Sequence, residues 1–399
     1  MTKTQNITPT VRLKKGKDAS LSRFHPWVFS GAIATMPENV AEGDVVRVVD
    51  HNNVTLGYGD WQIGSIVVRM LTFGDAYPDN ALLSRRIEDA INMRLKLGLY
   101  RSDNNTFRIV HGEGDFLPGL IIDLYADTAV VQAHSAGMHH RRNEIANILT
   151  ANKLININNI YYKSEATLPF KANLNATDGY LAGEDNNAVV KENGLLFNID
   201  WLKGQKTGFF IDQRENRQLL KQMSEGKSVL NMFCYTGGFS VYALKGGAER
   251  VTSVDSSAKA IHLTEKNVEI NFGADAPHKA VAEDAFKFLA DMPNEAYNLI
   301  ILDPPAFAKH RDAINNALRG YQRLNAKAIE KIAPGGILFT FSCSQAITKE
   351  QFRLAVFSAA AETKRKVKIL HQLTQPADHP VNIYHPEGEY LKGLVLYIE

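Results

Sequence analysis

The chain has 399 residues, which at about 150 residues per domain predicts two or three domains. With 45% apolar and 22% charged residues, its composition is that of a folded globular protein and excludes a disordered chain. The formal net charge is +2, which excludes a global field that would attract nucleic acid or membrane. Any such partner must therefore be met by a local patch of charge.

The two cysteines, Cys234 and Cys343, are too few for a disulfide framework or a four-thiolate metal site. The polar segment 1–10 lacks the apolar core of a signal peptide. No stretch approaches the roughly 18 apolar residues that a membrane-spanning helix requires. We expect a soluble cytoplasmic protein with reduced thiols, without a membrane partner and without a metal site.

Residues 1–73 combine short β-like runs, at 45–49 and 65–71, with several glycine turns, which predicts a small β-barrel or sandwich. The first 24 residues hold six basic side chains against one acidic side chain. This local excess of positive charge is either a binding surface or a solvated, lysine-rich tail.

Residues 74–188 alternate helical and β-like patterns, which predicts a central α+β domain. The predicted helices are 82–97 and 138–149, and the predicted strands are 107–110, 120–124, 129–132 and 160–163. The polar, glycine-containing segment 171–187 is a plausible domain boundary.

From residue 189 to residue 399 the pattern changes to a regular alternation of strands and helices, which predicts a parallel sheet covered on both faces. The predicted strands are 229–233, 250–254, 279–282, 299–302, 337–341, 367–373 and 394–398.

The connection between the last two predicted strands contains Pro376, Pro380 and Pro386, so a crossover helix is disfavoured and the last strand should be antiparallel. A doubly wound, seven-stranded α/β sheet with a reversed last strand is typical of class I methyltransferases. Nicotinamide-binding Rossmann domains usually lack this reversal.

The first strand of this sheet leads into the run CYTGG at 234–238, whose two adjacent glycines do not form the spaced triplet of a dinucleotide-binding loop. Asp255 ends the second strand, where its carboxylate can accept hydrogen bonds from ribose hydroxyls. Asp284 ends the third, followed by Ala285 and by Phe286, which is placed to lie against an adenine ring. Each aspartate alone is more often a helix N-cap, but their repetition at consecutive strand ends favours a ligand site.

The runs KTGFFIDQR (206–214), NMFCYTGGFS, DPPAF and SCS resemble those of the ribosomal RNA large-subunit cytosine-5 methyltransferase family. The resemblance covers nearly the whole chain and implies an N-terminal PUA RNA-binding domain, a central domain and a class I domain that binds S-adenosylmethionine. The residues that it implies in the cofactor pocket are Gln213, Phe233, Tyr235, Gly237, Asp255 and Asp284.

The fourth strand ends at Asp303, whose carboxylate is held by the extended exit that Pro304 and Pro305 impose, and the fifth ends near Cys343. Carbon 5 of cytosine is a poor nucleophile, but a thiolate that adds at carbon 6 converts the base into a reactive enamine. Our hypothesis is that Cys343 is this nucleophile and that Asp303 binds the N3 and amino edge of the cytosine.

The alternative role for Cys343 is that of a buried packing residue, because free cysteine often behaves as a small hydrophobe. Cys234, in the cofactor loop, is expected to pack rather than react. Many RNA cytosine-5 methyltransferases have a second cysteine where this chain has Pro305. The base that removes the C5 proton is left unassigned.

The expected partner is large-subunit ribosomal RNA or its assembly intermediate, and a homodimer is among the open alternatives for the oligomeric state. Basic side chains that could contact RNA phosphates, or could instead be solvated charges, are Lys14, Lys15, Arg23, Arg141, Arg142, Lys309 and Arg311. A target base must be unpaired or extruded to reach Cys343, and Phe307 could stack on it.

Three other functions remain open. A purine N-methyltransferase of the same fold, acting on guanine, would not use Cys343 as a nucleophile. A non-catalytic RNA-binding protein is disfavoured by the acidic residues of the pocket, and a nicotinamide oxidoreductase by the missing glycine triplet.

Overall fold

The computed structural model describes residues 8–184, 189–308 and 311–399. The chain folds into two compact units. The first comprises Met1–Ala188, Asp200–Gly208 and Ala377–Gly388, and the second comprises Val189–Ile199, Phe209–Pro376 and Glu389–Glu399. The domain ranges 1–73, 74–188 and 189–399 stay predictions.

The N-terminal part of the first unit is a six-stranded sheet, counted over the described residues, in the order β2-β6-β5-β4-β1-β3. Its strands are β1 (Thr10–Leu13), β2 (Trp27–Phe29), β3 (Ile33–Thr35), β4 (Val45–Val49), β5 (Thr55–Trp61) and β6 (Ile66–Phe73). Alternate valines, among them Val46, Val48 and Val68, are buried in its core. The β character predicted for this region is confirmed.

The rest of the first unit is built on a five-stranded sheet, again as far as the chain is described, in the order β11-β10-β9-β8-β7. Its elements are α1 (Leu82–Lys96), β7 (Thr106–His111), β8 (Leu120–Tyr125), β9 (Thr128–Ala133), α2 (Ala136–His140), α3 (Arg142–Ala151), β10 (Asn159–Tyr162) and β11 (Gly179–Ala182). Strand β11 lies in the segment that was predicted as a boundary.

The helix predicted at 138–149 is instead two helices, which meet at Arg141. The Arg141 guanidinium donates two hydrogen bonds to the Asp60 carboxylate, at 2.6 and 2.7 Å. This ion pair fixes the end of α2 against strand β5 and accounts for a break that helical periodicity alone does not reveal.

The second unit contains a seven-stranded sheet in the order β16-β15-β14-β17-β18-β20-β19, within the described part of the chain. Its strands are β14 (Ser228–Met232), β15 (Arg250–Asp255), β16 (His278–Ala282), β17 (Leu299–Leu302), β18 (Gly336–Ser342), β19 (Val367–Leu373) and β20 (Lys392–Ile398). A small hairpin of β12 (Val189–Glu192) and β13 (Leu195–Asn198) precedes it.

Strand β20 is antiparallel to both of its neighbours, β18 and β19, whereas β14 to β18 pair in parallel. The helices of this unit are α4 (Arg214–Gln222), α5 (Gly238–Lys245), α6 (Ala258–Phe272), α7 (Ala285–Asp291), α8 (Ile314–Lys331) and α9 (Lys349–Thr363). The predicted doubly wound sheet with a reversed last strand is confirmed.

The strand order places the topological switch between β14 and β17, because the chain adds β15 and β16 on one side and β17 and β18 on the other. Ligands of open α/β sheets bind at the carboxyl ends of the strands beside such a switch. The four strands there end at Met232, Asp255, Leu302 and Ser342, directly at the predicted site residues. Among the described residues, no helix is long and apolar enough to cross a membrane.

Candidate active site

The loop after β14 has an unusual backbone. Phe233, Tyr235 and Gly237 all adopt positive φ angles, of 58°, 47° and 78°. For a residue other than glycine this conformation costs about 1–2 kcal/mol. Gly237 has a second constraint, since a Cβ atom there would lie 2.6 Å from Thr264 Cγ2. Such local strain persists where the surroundings over-determine it, often at ligand sites.

Asp255 holds this loop in place. Its Oδ2 accepts a hydrogen bond from the Tyr235 amide at 3.0 Å, and its Oδ1 accepts one from the Ser257 amide at 2.9 Å. The side chain is half-buried. A carboxylate offers about four lone-pair sites, so Asp255 retains capacity for two ribose hydroxyls. The acceptor capacity of Asp255 and the shape of the loop therefore fit the ribose hydroxyls of S-adenosylmethionine, the expected cofactor.

Asp284 acts as the N-cap of α7, because its Oδ1 accepts a hydrogen bond from the Lys287 amide at 2.9 Å. It is exposed, Ala285 is buried, and the Phe286 ring is 38% exposed. The structure thus shows the capping role that we considered for Asp284, and contact of Asp284, Ala285 and Phe286 with an adenine ring stays a prediction.

Gln213 and Asp303 are brought together by the fold. Gln213 Nε2 donates a hydrogen bond to Asp303 Oδ2 at 3.0 Å, and Asn216 Nδ2 donates to Gln213 Oε1 at 2.6 Å. Burial raises the pKa of Asp303 to about 7, with a further contribution from the negative charge of Asp212. Gln213, expected in the cofactor pocket, is thus a direct partner of the predicted catalytic carboxyl group.

Cys343 is half-buried after β18. Burial raises the pKa of its thiol to about 11, and the charges of Asp303 and Asp212 contribute. Asp303 follows β17, the parallel neighbour of β18, so its carboxyl group and the thiol lie at the same edge of the sheet. The resting group is a thiol, so its proton must leave when the sulfur attacks a substrate.

Lys392 is a buried cation at the start of β20 and lies opposite Ser342 in the sheet. Its ammonium donates a hydrogen bond to the Ser344 carbonyl at 2.6 Å. Burial lowers the pKa of Lys392 to about 8, while the same cation favours the thiolate form of Cys343.

Cys234 has a different environment. It is 7% exposed, and its sulfur lies 3.7 Å from Thr264 Oγ1. Burial raises the pKa of Cys234 to about 12, and the charge of Asp255 contributes. These features agree with a packing role.

Sequence reasoning missed Asp212, Tyr390 and Lys392. Asp212 Oδ2 accepts a hydrogen bond of 2.6 Å from the Tyr390 hydroxyl. The available signal for Asp212 was its place beside Gln213 in the run KTGFFIDQR. Lys392 carried no such signal, because the pairing of β20 with β18 brings it to the site, and Tyr390, in the connection before β20, is tied to the site by its bond to Asp212.

The predicted RNA-contacting residues have unequal surroundings. Lys14, Lys15 and Arg23 are exposed, although Lys14 Nζ donates to the Gly31 carbonyl at 3.1 Å. Arg141 is held by Asp60, and Arg142 Nη1 donates to the His139 carbonyl at 3.0 Å. Lys309 lies outside the described residues, as does the side chain of Arg311.

Comparison with protein families gives two matches. A model described as an S-adenosylmethionine-dependent methyltransferase matches residues 166–389, which include the predicted cofactor-binding residues, Asp303 and Cys343. A model of a PUA-like domain matches residues 11–73, the range of the six-stranded sheet.

Among curated proteins, the chain is similar to ribosomal RNA large subunit methyltransferase I of Alteromonas mediterranea, with 40% identity over 394 residues and 98% of each chain covered. The protein of the same name from Aeromonas hydrophila is 39% identical over 398 residues, covering 98% of this chain and 99% of that one.

Among solved structures, a protein from Streptococcus mutans, named as an S-adenosylmethionine-dependent methyltransferase, matches with a TM-score of 0.83 and 23% identity, covering 98% of this chain and 100% of that one. A likeness at this level of identity shows that the fold is shared along the whole chain.

Proposed function

Since the chain belongs to the S-adenosylmethionine-dependent methyltransferases, and within them to the family of ribosomal RNA large subunit methyltransferase I, we propose that it methylates carbon 5 of a cytosine in large-subunit ribosomal RNA. In this proposal Cys343 forms a covalent bond to carbon 6 of the base, and Asp303 binds the N3 edge.

The observation that carries the proposal is the placement of a thiol beside a carboxyl group at the topological switch. Asp303 and Cys343 directly follow the adjacent parallel strands β17 and β18, and Gln213 orients the Asp303 carboxyl group through a 3.0 Å hydrogen bond. Methylation of an exocyclic nitrogen needs no thiol, whereas methylation of carbon 5 needs a nucleophile at carbon 6 and a proton donor at N3.

The first step follows from these positions. The Cys343 thiol releases its proton to solvent, the sulfur bonds to carbon 6, and the electron pair of the C5–C6 double bond shifts into the ring towards N3. Asp303, whose pKa is raised to about 7, is partly protonated at neutral pH and supplies the proton that N3 takes up. The Lys392 ammonium favours the thiolate needed for the attack.

S-adenosylmethionine supplies an electrophilic methyl group, which carbon 5 of the activated ring accepts. We propose that Tyr235, Phe233 and Gly237 shape its pocket through their backbone, that Asp255 binds its ribose, and that Ala285, Phe286 and Asp284 lie at its adenine. Gln213, which is hydrogen-bonded to Asp303, completes the cofactor pocket in this proposal.

RNA binding is assigned in this proposal to the N-terminal sheet, which matches a PUA-like domain. The exposed side chains of Lys14, Lys15 and Arg23 support it, because solvated cations can replace counterions on phosphates.

The test is the identity of the product. The protein is incubated with protein-free large-subunit ribosomal RNA and methyl-labelled S-adenosylmethionine, and the nucleosides are separated by mass spectrometry. We expect label in 5-methylcytidine with wild type and none with Cys343→Ala. Label in a methylated guanosine, undiminished by Cys343→Ala, would instead assign a purine N-methyltransferase.

A further inference from the structure

The proposed methylation of carbon 5 requires a base that removes the C5 proton, and no residue has yet been assigned to that step. Carbon 5 then bears both the new methyl group and its original proton, and the Cys343 sulfur can leave only after a base removes that proton. Building on the proposed function, we propose that Asp212 is this base.

Asp212 lies in the short 3-10 turn Ile211–Gln213, directly before the glutamine that binds Asp303. One carboxylate oxygen, Oδ2, is fixed by the Tyr390 hydroxyl at 2.6 Å. The other, Oδ1, is buried and has no hydrogen-bond partner among the described residues. An unpartnered buried carboxylate oxygen is costly for stability, and a functional role accounts for its presence.

Two observations connect Asp212 with the residues proposed for catalysis. Through Gln213, Asp212 is one residue away from a side chain that contacts Asp303. Through Tyr390, it is tied to the segment that enters β20, where Lys392 lies opposite Ser342, the neighbour of Cys343. Consistent with both, the charge of Asp212 acts on Asp303 and on Cys343.

The two carboxyl groups have different roles in the proposed reaction. Asp303 has one oxygen bound by Gln213 and serves the N3 edge of the base. Asp212 Oδ1 takes the proton from carbon 5, and the electrons of the broken C5–H bond re-form the C5–C6 double bond. The C6–S bond breaks, its electron pair stays on the Cys343 sulfur, N3 returns its proton to Asp303, and Asp212 later releases its proton to solvent.

Asp212→Asn tests this role, since the asparagine side-chain oxygen can still accept the Tyr390 hydrogen bond. The substrate is RNA that carries tritium at carbon 5 of cytidine, used with carbon-14-labelled S-adenosylmethionine. Wild type releases one tritium per methyl group transferred. We expect the variant to transfer about one methyl group per protein, to release tritium at least about 100-fold more slowly, and to accumulate a methylated protein–RNA adduct that survives denaturation.

Glu215→Gln is the matched control. Glu215 is an exposed acidic side chain three residues further along the chain, and its variant is expected to turn over as wild type does. Melting temperatures and the first-turnover methyl transfer show whether Asp212→Asn is folded and competent. Wild-type tritium release by this variant, or failure of its first methyl transfer in a folded protein, would overturn the assignment.

The same experiment separates this inference from the proposed function. Wild type is also given RNA that contains 5-fluorocytidine, which has no C5 proton to remove. An adduct with wild type together with normal tritium release by Asp212→Asn rejects only the role of Asp212. Without any wild-type adduct, the covalent mechanism itself is rejected, and the role of Asp212 with it.

Discussion

The two cysteines occupy corresponding places in the same sheet, one after β14 and the other after β18, but their surroundings differ. Around Cys234 the polar groups bond to one another: Asp255 binds the Tyr235 amide, and Thr264 Oγ1 donates to the Tyr235 carbonyl at 2.8 Å. Around Cys343 the acidic groups are incompletely paired, and Asp212 Oδ1 has no partner within the described residues.

This difference separates the loop after β14, where hydrogen bonds fix the backbone conformation, from the surroundings of Cys343, where polar groups remain available for catalysis. The β14 loop uses its hydrogen bonds to hold three positive φ angles. Asp303 after β17, Cys343 after β18 and Asp212 in the turn Ile211–Gln213 interact through their charges, and the raised pKa values of Asp303 and Cys343 show the cost. Raised pKa values of this kind are frequent at catalytic sites.

The largest expected effect comes from removing each of the two thiols in turn. Cys343→Ala should lower methyl transfer at least about 1,000-fold, because the nucleophile is lost. Cys234→Ala should retain activity within a few-fold and lower the free energy of unfolding by about 1 kcal/mol through lost packing. Single-turnover rates and denaturant titrations measure both. Comparable activities of the two variants would remove the distinction between the two regions.

The next effect concerns Asp303. Asp303→Asn should lower the methyl-transfer rate about 100-fold, because the amide cannot supply a proton to N3. A rate within a few-fold of wild type would show that Asp303 is not the proton donor.

Asp303 also makes stability depend on pH. Its pKa is about 7 in the folded protein and about 4 in an unfolded chain, so the folded state binds more protons between these values. Its contribution to stability is therefore present below pH 4 and is lost as the pH rises to 7. Melting temperatures of Asp303→Asn and wild type are compared at pH 5 and at pH 8. The melting temperature of the variant relative to wild type should be higher at pH 8 than at pH 5. The same difference in melting temperature at both pH values would contradict the raised pKa.

A smaller effect is expected in the β14 loop. Gly237→Ala forces a side chain into a left-handed conformation and against Thr264, which should cost about 1–2 kcal/mol of stability. Calorimetry with S-adenosylhomocysteine should show weaker binding, while the Cys343 adduct still forms at saturating cofactor. Unchanged cofactor affinity would indicate that this loop does not shape the pocket.

The smallest effects concern the basic surface. Lys15→Ala and Arg23→Ala should each weaken RNA binding a few-fold and make its salt dependence shallower. Arg141→Ala should instead lower the melting temperature, because it leaves the Asp60 carboxylate without its guanidinium partner. Filter binding at several salt concentrations measures the RNA affinities of Lys15→Ala and Arg23→Ala. An unchanged salt slope in Lys15→Ala and Arg23→Ala would exclude these residues from the RNA surface.

Much of the fold could be predicted because buried β-runs and glycine turns are local signals. The strand predicted at 299–302 is β17 without change, and the strand predicted at 337–341 is β18 with one residue added at each end. The break at Arg141 and strand β11 were missed, because the first depends on an ion pair with Asp60 and the second on pairing with β10.

The candidate site was predictable to the extent that its residues follow strands directly. Asp255, Asp303 and Cys343 could be found in this way. Tyr390 could not, because it reaches the site through the long connection from β19 to β20 and is recognised by its hydrogen bond to Asp212.

The central claim is that Cys343 forms a covalent bond to the target base, and the most direct measurement is mass spectrometry of the protein after reaction with 5-fluorocytidine RNA, S-adenosylmethionine and nuclease. The account predicts a peptide that contains Cys343 and carries a methylated fluorocytidine nucleotide. Multiple-turnover formation of 5-methylcytidine by Cys343→Ala, on unmodified RNA, would contradict it.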